Sequence, residues 1–411
     1  MTNKTNRKKP QALEGVKVLD FTWMAAGPIG TKYLADYGAE VIKVESTKRI
    51  DLMRLTAPYK DGIIEPDHCA PFIPFNTSKL SITVDLGNPQ GLAVLRRLIP
   101  WADVVSQNFR PGFMKRIGFD YEELKKLNPD IIMVSASIMG QTGPFSDYPG
   151  WGHMISALTG QYHMTGWPDR GPTFPCSVTY ADSIAAIFLP LAVITALEYR
   201  RRTGKGQHLD LSQIEVIGNL MTTAILDYQI NKREQSPVGN RCAYAAPHAA
   251  FRCLGKDKWC TIAIFSEEEW TAFCKVIGAE WTRDTKFSSF ASRKENEDEL
   301  ERLIEQWTVN RSAHDVMIEM QNAGVPAGVV QEAEDIVEHD PQIKFRQFFR
   351  KLEHPVMGYM SHPDEPIKLS KTPANISTAP CIGQHNEYVF TTVLGMSDEE
   401  YVELLRSEAL T

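Results

Sequence analysis

Val16-Lys-Val-Leu-Asp-Phe21, Ala26-Gly-Pro28, Thr31-Lys-Tyr-Leu-Ala-Asp-Tyr37 and Ala39-Glu-Val-Ile-Lys-Val44 follow one another near the start of the chain. The outer two segments are short and aliphatic, the third carries its apolar residues at helical spacing, and a Gly-Pro pair marks the turn between strand and helix. Together they read as a βαβ unit. The pattern recurs as a strand at Ser81–Asp85, a helix through Leu92–Leu98, a strand at Asp103–Ser106, a helix at Tyr121–Leu127 and a strand at Ile131–Ser135. Short strands separated by helices predict an α/β domain with a parallel sheet covered on both faces, of Rossmann-like type.

The dinucleotide fingerprint G-x-G-x-x-G is missing after the first strand, where Trp23-Met-Ala-Ala-Gly-Pro28 stands instead. A nicotinamide or flavin cofactor is therefore not expected. From about Asn240 to Val330 the texture changes to shorter strands, such as Trp259–Ile264, and helices such as Glu268–Lys275, which predicts a smaller α+β domain. The tail is rich in Pro and Gly between Pro355 and Pro380 and closes with a helix at Asp398–Arg406.

The bulk numbers narrow the function classes. A chain of 411 residues, 43% apolar and 23% charged, has material for two packed domains. A net charge of −7 argues against nucleic-acid or anionic-membrane partners, which select basic surfaces. The seven cysteines form no C-x-x-C pair and are odd in number, so neither a zinc cage nor a disulfide framework is expected, and no metal site is assigned. The polar opening Thr2–Pro10 is unlike a secretory signal. The longest apolar run, residues 184–197, is too short to span a bilayer and contains Pro190. A soluble, cytoplasmic enzyme acting on small molecules is the expectation.

One carboxylate stands out. Asp182, in Thr179-Tyr-Ala-Asp-Ser183, immediately precedes the apolar run. An acid in the first turn of a buried helix is held ionised by backbone N–H groups, so it serves as a cap or as a nucleophile.

Several segments, in order, resemble the class III CoA-transferase family (CaiB/BaiF type), which includes formyl-CoA, carnitine and benzylsuccinate CoA-transferases. They are Leu13–Phe21, Ala26-Gly-Pro28, Leu34–Glu45, Asn76-Thr-Ser-Lys79, Asn108-Phe-Arg-Pro-Gly112, Ala181-Asp182 and Arg202-Thr-Gly-Lys-Gly-Gln207, followed by Gly239-Asn-Arg241 with Ala246-Pro-His248. The resemblance implies coenzyme A as a substrate, with no permanently bound cofactor. It makes Asp182 the nucleophile and assigns Ala26, Gly27, Asn108, Phe109, Gly140 and the cations Arg54, Lys79, Arg110 and Arg116 to coenzyme A, the cations meeting its phosphates. Asn108-Phe109-Arg110 follows a predicted strand, where ligands of open α/β sheets gather. A lysine that some members carry is replaced here by Met139. Gly239 and Asn240, with Gln141, are the expected oxyanion donors, although the multiple-glycine run of formyl-CoA transferase is missing.

The resemblance also implies an interlocked, ring-like dimer whose large domain (1–220, completed by 340–411) flanks a linker and small domain (221–339). A homodimer or a heterodimer with a related subunit fits, with an acyl-CoA and a carboxylic acid as ligands. Succinyl-CoA is the expected donor. Trp23, Trp151, Tyr162, His163, Met164, Trp167 and Phe174 suggest a bulky or aromatic acceptor, such as benzylsuccinate. The rival within the family is an α-methylacyl-CoA racemase, which needs opposed proton-transfer groups. Its His and Asp positions fall here on Trp151 and Gly152, which cannot carry protons, and His153 is two places out of register.

Overall fold

The computed structural model describes residues 10–173 and 179–411. They form two compact units. One gathers the described residues of Met1–Gln161, Cys176–Glu234 and Phe345–Thr411, the other those of Tyr162–Pro175 and Gln235–Lys344.

The first unit is built on six strands: β1 Lys17–Asp20, β2 Glu40–Glu45, β3 Leu80–Thr83, β4 Val104–Gln107, β5 Ile132–Ser137 and β6 His208–Ser212. Their order is β3-β2-β1-β4-β5-β6 and every pairing is parallel. Alternate residues of each strand serve opposite faces. Leu19, Ile42 and Val105 pack with Val94, Leu95 and Leu98 of the helix Pro89–Leu98 and with Val389, Phe390 and Leu410 from the far end of the chain. Val18, Val41 and Val104 face the other way, toward Leu34 of the helix Ala26–Asp36 and toward Leu189, Val193 and Ala196. Burial on both faces explains the nearly continuous aliphatic runs.

Leu189 to Ala196 belong to a helix that runs Tyr180–Thr203, 24 residues, straight through Pro190. This corrects the expectation from the apolar run alone, because the helix is long and apolar enough to cross a membrane by length and composition. Pro190 cannot donate to the Ala186 carbonyl. Gly30 packs against that oxygen instead, so closely that a Cβ would lie 3.1 Å from it. Ala181, Ala185, Ala186, Leu189, Val193 and Ala196 are buried, whereas Ile187, Leu191 and Ile194 are exposed.

The strand order reverses between β1 and β4, so the connections leaving these two neighbours diverge and open a crevice at their carboxyl ends. The second unit carries a three-stranded antiparallel sheet, β7 His248–Arg252, β8 Trp259–Ala263 and β9 Ala327–Val329. Its core joins Phe251, Cys260 and Ile262 to Phe273, Leu300, Ile304, Val316 and Met320 from the helices that cover it. The α+β texture read from the sequence is therefore present. In the first unit, β10 Phe349–His354 and β11 Gly358–Pro363 form an antiparallel hairpin.

Candidate active site

A cavity of about 520 Å³ opens at the reversal point, and Asp182 lines it together with Trp23, Ala26, Asn108, Phe109 and Arg110. Residues from the β1 exit, the β4 exit and the start of the 180–203 helix thus converge, as the strand-end argument anticipates.

Asn108 braces the β1 exit. Its amide donates to the Trp23 carbonyl and accepts from the Trp23 N–H, each at 2.8 Å. Phe109 meets the Trp23 ring edge-on at 5.5 Å and leans on Phe113 at 4.5 Å. Arg110 is exposed, and its guanidinium donates to the Asp147 carbonyl at 2.7 Å. Arg116 is exposed as well, its guanidinium 5.1 Å from the Phe113 ring centroid.

Asp182 is the third residue of its helix and is largely buried. Burial pushes its carboxyl above the usual range, while a hydrogen bond from Thr179 and the neighbouring His153 pull it back. His153, which the register argument set aside, therefore acts on the carboxylate. The racemase-type positions are also close: Trp151 lines the cavity, and Gly152 lies directly against Asp182.

Two of the expected phosphate cations are elsewhere. Arg54 is 1% exposed; its guanidinium donates to both Glu45 oxygens and to Asp67, each at 2.8 Å, and to the Pro380 carbonyl at 3.1 Å. Lys79 is 3% exposed and donates to Asp20, the Pro28 carbonyl and Asn76, each at 3.0 Å. Both are internal struts, because a buried cation is retained only where carboxylates compensate it.

Lys79 belongs to a charged floor beneath the β1 exit. Asp20 accepts from Thr22 Oγ1 at 2.6 Å, Thr31 Oγ1 at 2.7 Å and Ser106 Oγ at 2.8 Å. Burial alone would raise the Asp20 carboxyl, but Lys79 and Lys43 hold it below the ordinary range. Burial drags Lys79 down to about 8. Lys43 donates to the Thr22 carbonyl at 2.6 Å and to Asp51 at 3.0 Å, and Asp51 accepts the Met24 N–H at 2.9 Å. Met24, which lines the cavity, is thereby held at φ 63°, a left-handed conformation that branched or bulky residues seldom adopt. Nothing local in the sequence ties Asp51 to this loop.

Gly27 has an internal reason to be glycine: a Cβ would lie 2.5 Å from Thr22 Cβ. Gly140 turns the chain after β5 at φ 88°. The next residue, Gln141, gives its N–H to the Asp210 carboxylate at 3.0 Å and lines a separate cavity of about 70 Å³ with Tyr121, Ser135 and His208, where its Nε2 has no hydrogen-bond partner. Its expected place beside Asp182 as an oxyanion donor is thus not the one observed.

Gly239 and Asn240 lie in the second unit. The Gly239 N–H is already donated to the Gly166 carbonyl at 2.9 Å, and Trp167 packs where its side chain would be. The Asn240 carbonyl is engaged by His248 Nδ1. Asn240 and Trp167 line a cavity of about 840 Å³ within that unit. Of the expected acceptor residues, Trp23 and Trp151 line the Asp182 cavity. Tyr162, His163, Met164 and Trp167 belong to the second unit, and Phe174 lies outside the described residues. Among the described residues no group of three or more His, Cys, Asp or Glu is placed to hold a metal ion.

A model of CoA-transferase family III matches residues 13–386. The chain is 35% identical over 404 residues to the succinyl-CoA–D-citramalate CoA-transferase of Chloroflexus aurantiacus, covering 97% of this chain and 98% of that one. It is 33% identical over 371 residues to the acetyl-CoA:oxalate CoA-transferase of Acetobacter aceti, covering 90% and 92%. Among solved structures, a CaiB/BaiF family protein from Brucella suis superimposes with a TM-score of 0.86 at 30% identity, covering 93% of this chain and 99% of that one.

Proposed function

The chain belongs to CoA-transferase family III, and from that premise we propose that it moves coenzyme A from succinyl-CoA or a similar thioester to a carboxylic acid, with Asp182 as nucleophile. The observation that carries this reading is a mostly buried carboxylate in a cavity at the sheet's reversal point, walled by the two strand exits whose motifs resemble the coenzyme A site.

The chemistry follows from the carboxylate. Asp182 adds to the thioester carbonyl, a C–O bond forms, the C–S bond breaks, and coenzyme A leaves as thiolate with an aspartyl-acyl anhydride behind it. The thiolate then attacks the aspartyl carbonyl, releasing the donor acid as carboxylate and leaving an aspartyl-CoA thioester. The acceptor carboxylate attacks that thioester to give a second anhydride and free thiolate, and the thiolate takes the acceptor acyl group and regenerates Asp182. Every intermediate keeps the energy of the original thioester, so water must be excluded, and burial of Asp182 serves that end. The sequence of steps requires no permanently bound cofactor.

Arg110 and Arg116 are the cations this reading keeps for the phosphates, with Ala26, Asn108 and Phe109 walling the arm. Trp23, Phe109 and Trp151 support an acceptor with an aromatic or apolar group, and benzylsuccinate is the first to test, against D-citramalate and oxalate, the acids named for the two relatives. The exposed Ile187, Leu191 and Ile194, with the exposed Leu226, Tyr228 and Ile230 of the helix Thr222–Asn231, support a dimer of two copies or with a related subunit. The buried face of the 180–203 helix supports a soluble protein, which the reading places in the cytoplasm.

The test is intact-protein mass spectrometry after incubation with succinyl-CoA and trapping with hydroxylamine or borohydride, for wild type and Asp182→Ala. An adduct on the wild type alone supports the reading. Deuterium exchange at the carbon next to the thioester, with no adduct, would replace it with racemase chemistry.

A further inference from the structure

Resting on the assignment of Asp182 as nucleophile, we infer that Thr179 is its positioning residue: the hydroxyl ties down Asp182 Oδ2, Gly152 leaves the room this requires, and Oδ1 becomes the attacking atom.

Thr179-Tyr-Ala-Asp182 has the sequence form of a capping box, in which the first hydroxyl accepts the N–H three residues on and the acid reaches back to the first N–H. Ser266 with Glu269 and Ser397 with Glu400 form that reciprocal arrangement elsewhere in the chain. Ser312 accepts the Asp315 N–H at 3.0 Å while also donating to its carboxylate at 2.6 Å. Thr179 differs from all three. It occupies the N-cap position of the 180–203 helix but makes no side-chain cap. Its hydroxyl donates to Asp182 Oδ2 instead. The helix forgoes a stabilising contact, and the carboxylate gains one.

Gly152 is the second observation. Its φ is not what demands glycine here; the demand is space. A Cβ at this position would overlap Thr179 Oγ1 and Asp182 Oδ2 and lie 2.7 Å from Asp182 Cγ. Two separate stretches of chain, one at 152 and one at 179–182, are thus fitted around one carboxylate oxygen. The carboxylate lines the cavity, so the tie acts on a group that meets substrate. A hydroxyl bond to a carboxylate also favours its ionised form, the only form that attacks.

The experiment compares wild type, Thr179→Val, Thr179→Ser, Gly152→Ala and Asp182→Ala in steady-state transfer from succinyl-CoA and in single-turnover adduct formation, each across pH 5 to 9. Valine keeps the shape and removes the hydroxyl; we expect kcat and the adduct rate to fall roughly 30-fold with the acyl-CoA KM changed by less than about threefold. The acidic limb of its rate profile should move to higher pH, since the carboxylate loses a partner that opposes protonation. Serine should restore the rate and the limb, and Gly152→Ala, which crowds both the hydroxyl and the oxygen it holds, should reproduce the valine defect. Thermal melting of each variant separates misfolding from misplacement. Wild-type kcat and an unmoved acidic limb in Thr179→Val would overturn the inference, and so would equal losses in valine and serine. If Asp182→Ala itself still forms the adduct, the nucleophile assignment falls; if it is dead while Thr179→Val is normal, only the positioning role falls.

Discussion

Lys79 Nζ lies 3.0 Å from Asp20 Oδ2, and both side chains are closed to solvent. The pair sits under the turn that carries Trp23 and Met24 into the cavity. The same lysine that family position assigns to a phosphate is therefore part of the support on which the site is built.

Replacing Lys79 with Met leaves Asp20 charged, buried and short of its main counterion. The expected loss is roughly 3–5 kcal/mol of folding stability, read by urea unfolding. Protein that still folds should bind acyl-CoA with a KM within about twofold of wild type. A lysine that met phosphate would give the opposite pattern, with stability unchanged and KM raised.

Arg110 is exposed and Lys79 is not, so Arg110→Ala should have little effect on the melting temperature. Losing a charge-assisted contact to phosphate should raise the acyl-CoA KM about tenfold, with less effect at high salt. Unchanged KM at low ionic strength would remove Arg110 from the coenzyme A site.

Lys32 Nζ is shared by Asp36 at 3.0 Å and Glu365 at 2.5 Å. Burial pushes the Glu365 carboxyl up to about 7, with Lys32 opposing and Asp36 adding to the rise. A carboxyl whose folded value exceeds its unfolded value of about 4.5 binds more protons in the folded state between the two, so stability falls as pH rises from about 5 through 7. Glu365→Gln should flatten that slope and raise the melting temperature at pH 8 by a few degrees, on the order of 3 °C. Calorimetry of both proteins at pH 5, 6.5 and 8 checks the sign.

Met24 stays at φ 63° because Asp51 and Lys43 hold the backbone around it. Met24→Val introduces a branched residue at a left-handed position and should cost about 1–2 kcal/mol. Met24→Gly should cost less, since glycine adopts that conformation freely. Valine as stable as wild type by urea unfolding would show that the loop places no left-handed demand on residue 24.

The alternation of strands and helices made β1 to β5 readable, because strands buried on both faces must be aliphatic. β6 escaped: its exposed His208 and Asp210 interrupt the pattern at a sheet edge. The family resemblance named Ala26, Asn108, Phe109, Arg110 and Asp182, and the structure lines one cavity with all five; for Asn108, Phe109 and Arg110 the exit of a parallel strand gave a physical reason as well. The burial of Arg54 and Lys79 was not legible, because sequence shows a charge but not its counterion. Glu45 and Asp67 lie 9 and 13 residues from Arg54, and Asp20 lies 59 from Lys79. The full length of the 180–203 helix was not legible from its apolar run, as a helix can cross a proline when a neighbour such as Gly30 packs at the freed carbonyl.

The ionic floor has a practical meaning for anyone wishing to retarget this cavity. Asp20, Lys43, Asp51 and Lys79 compensate one another, so a change to any one of them demands matching changes in the rest. Trp23 and Trp151 are not bound into that exchange of charge, and new acids would be accommodated first by rebuilding those two walls. The scaffold therefore divides into a foundation that tolerates only concerted revision and a rim open to piecemeal variation.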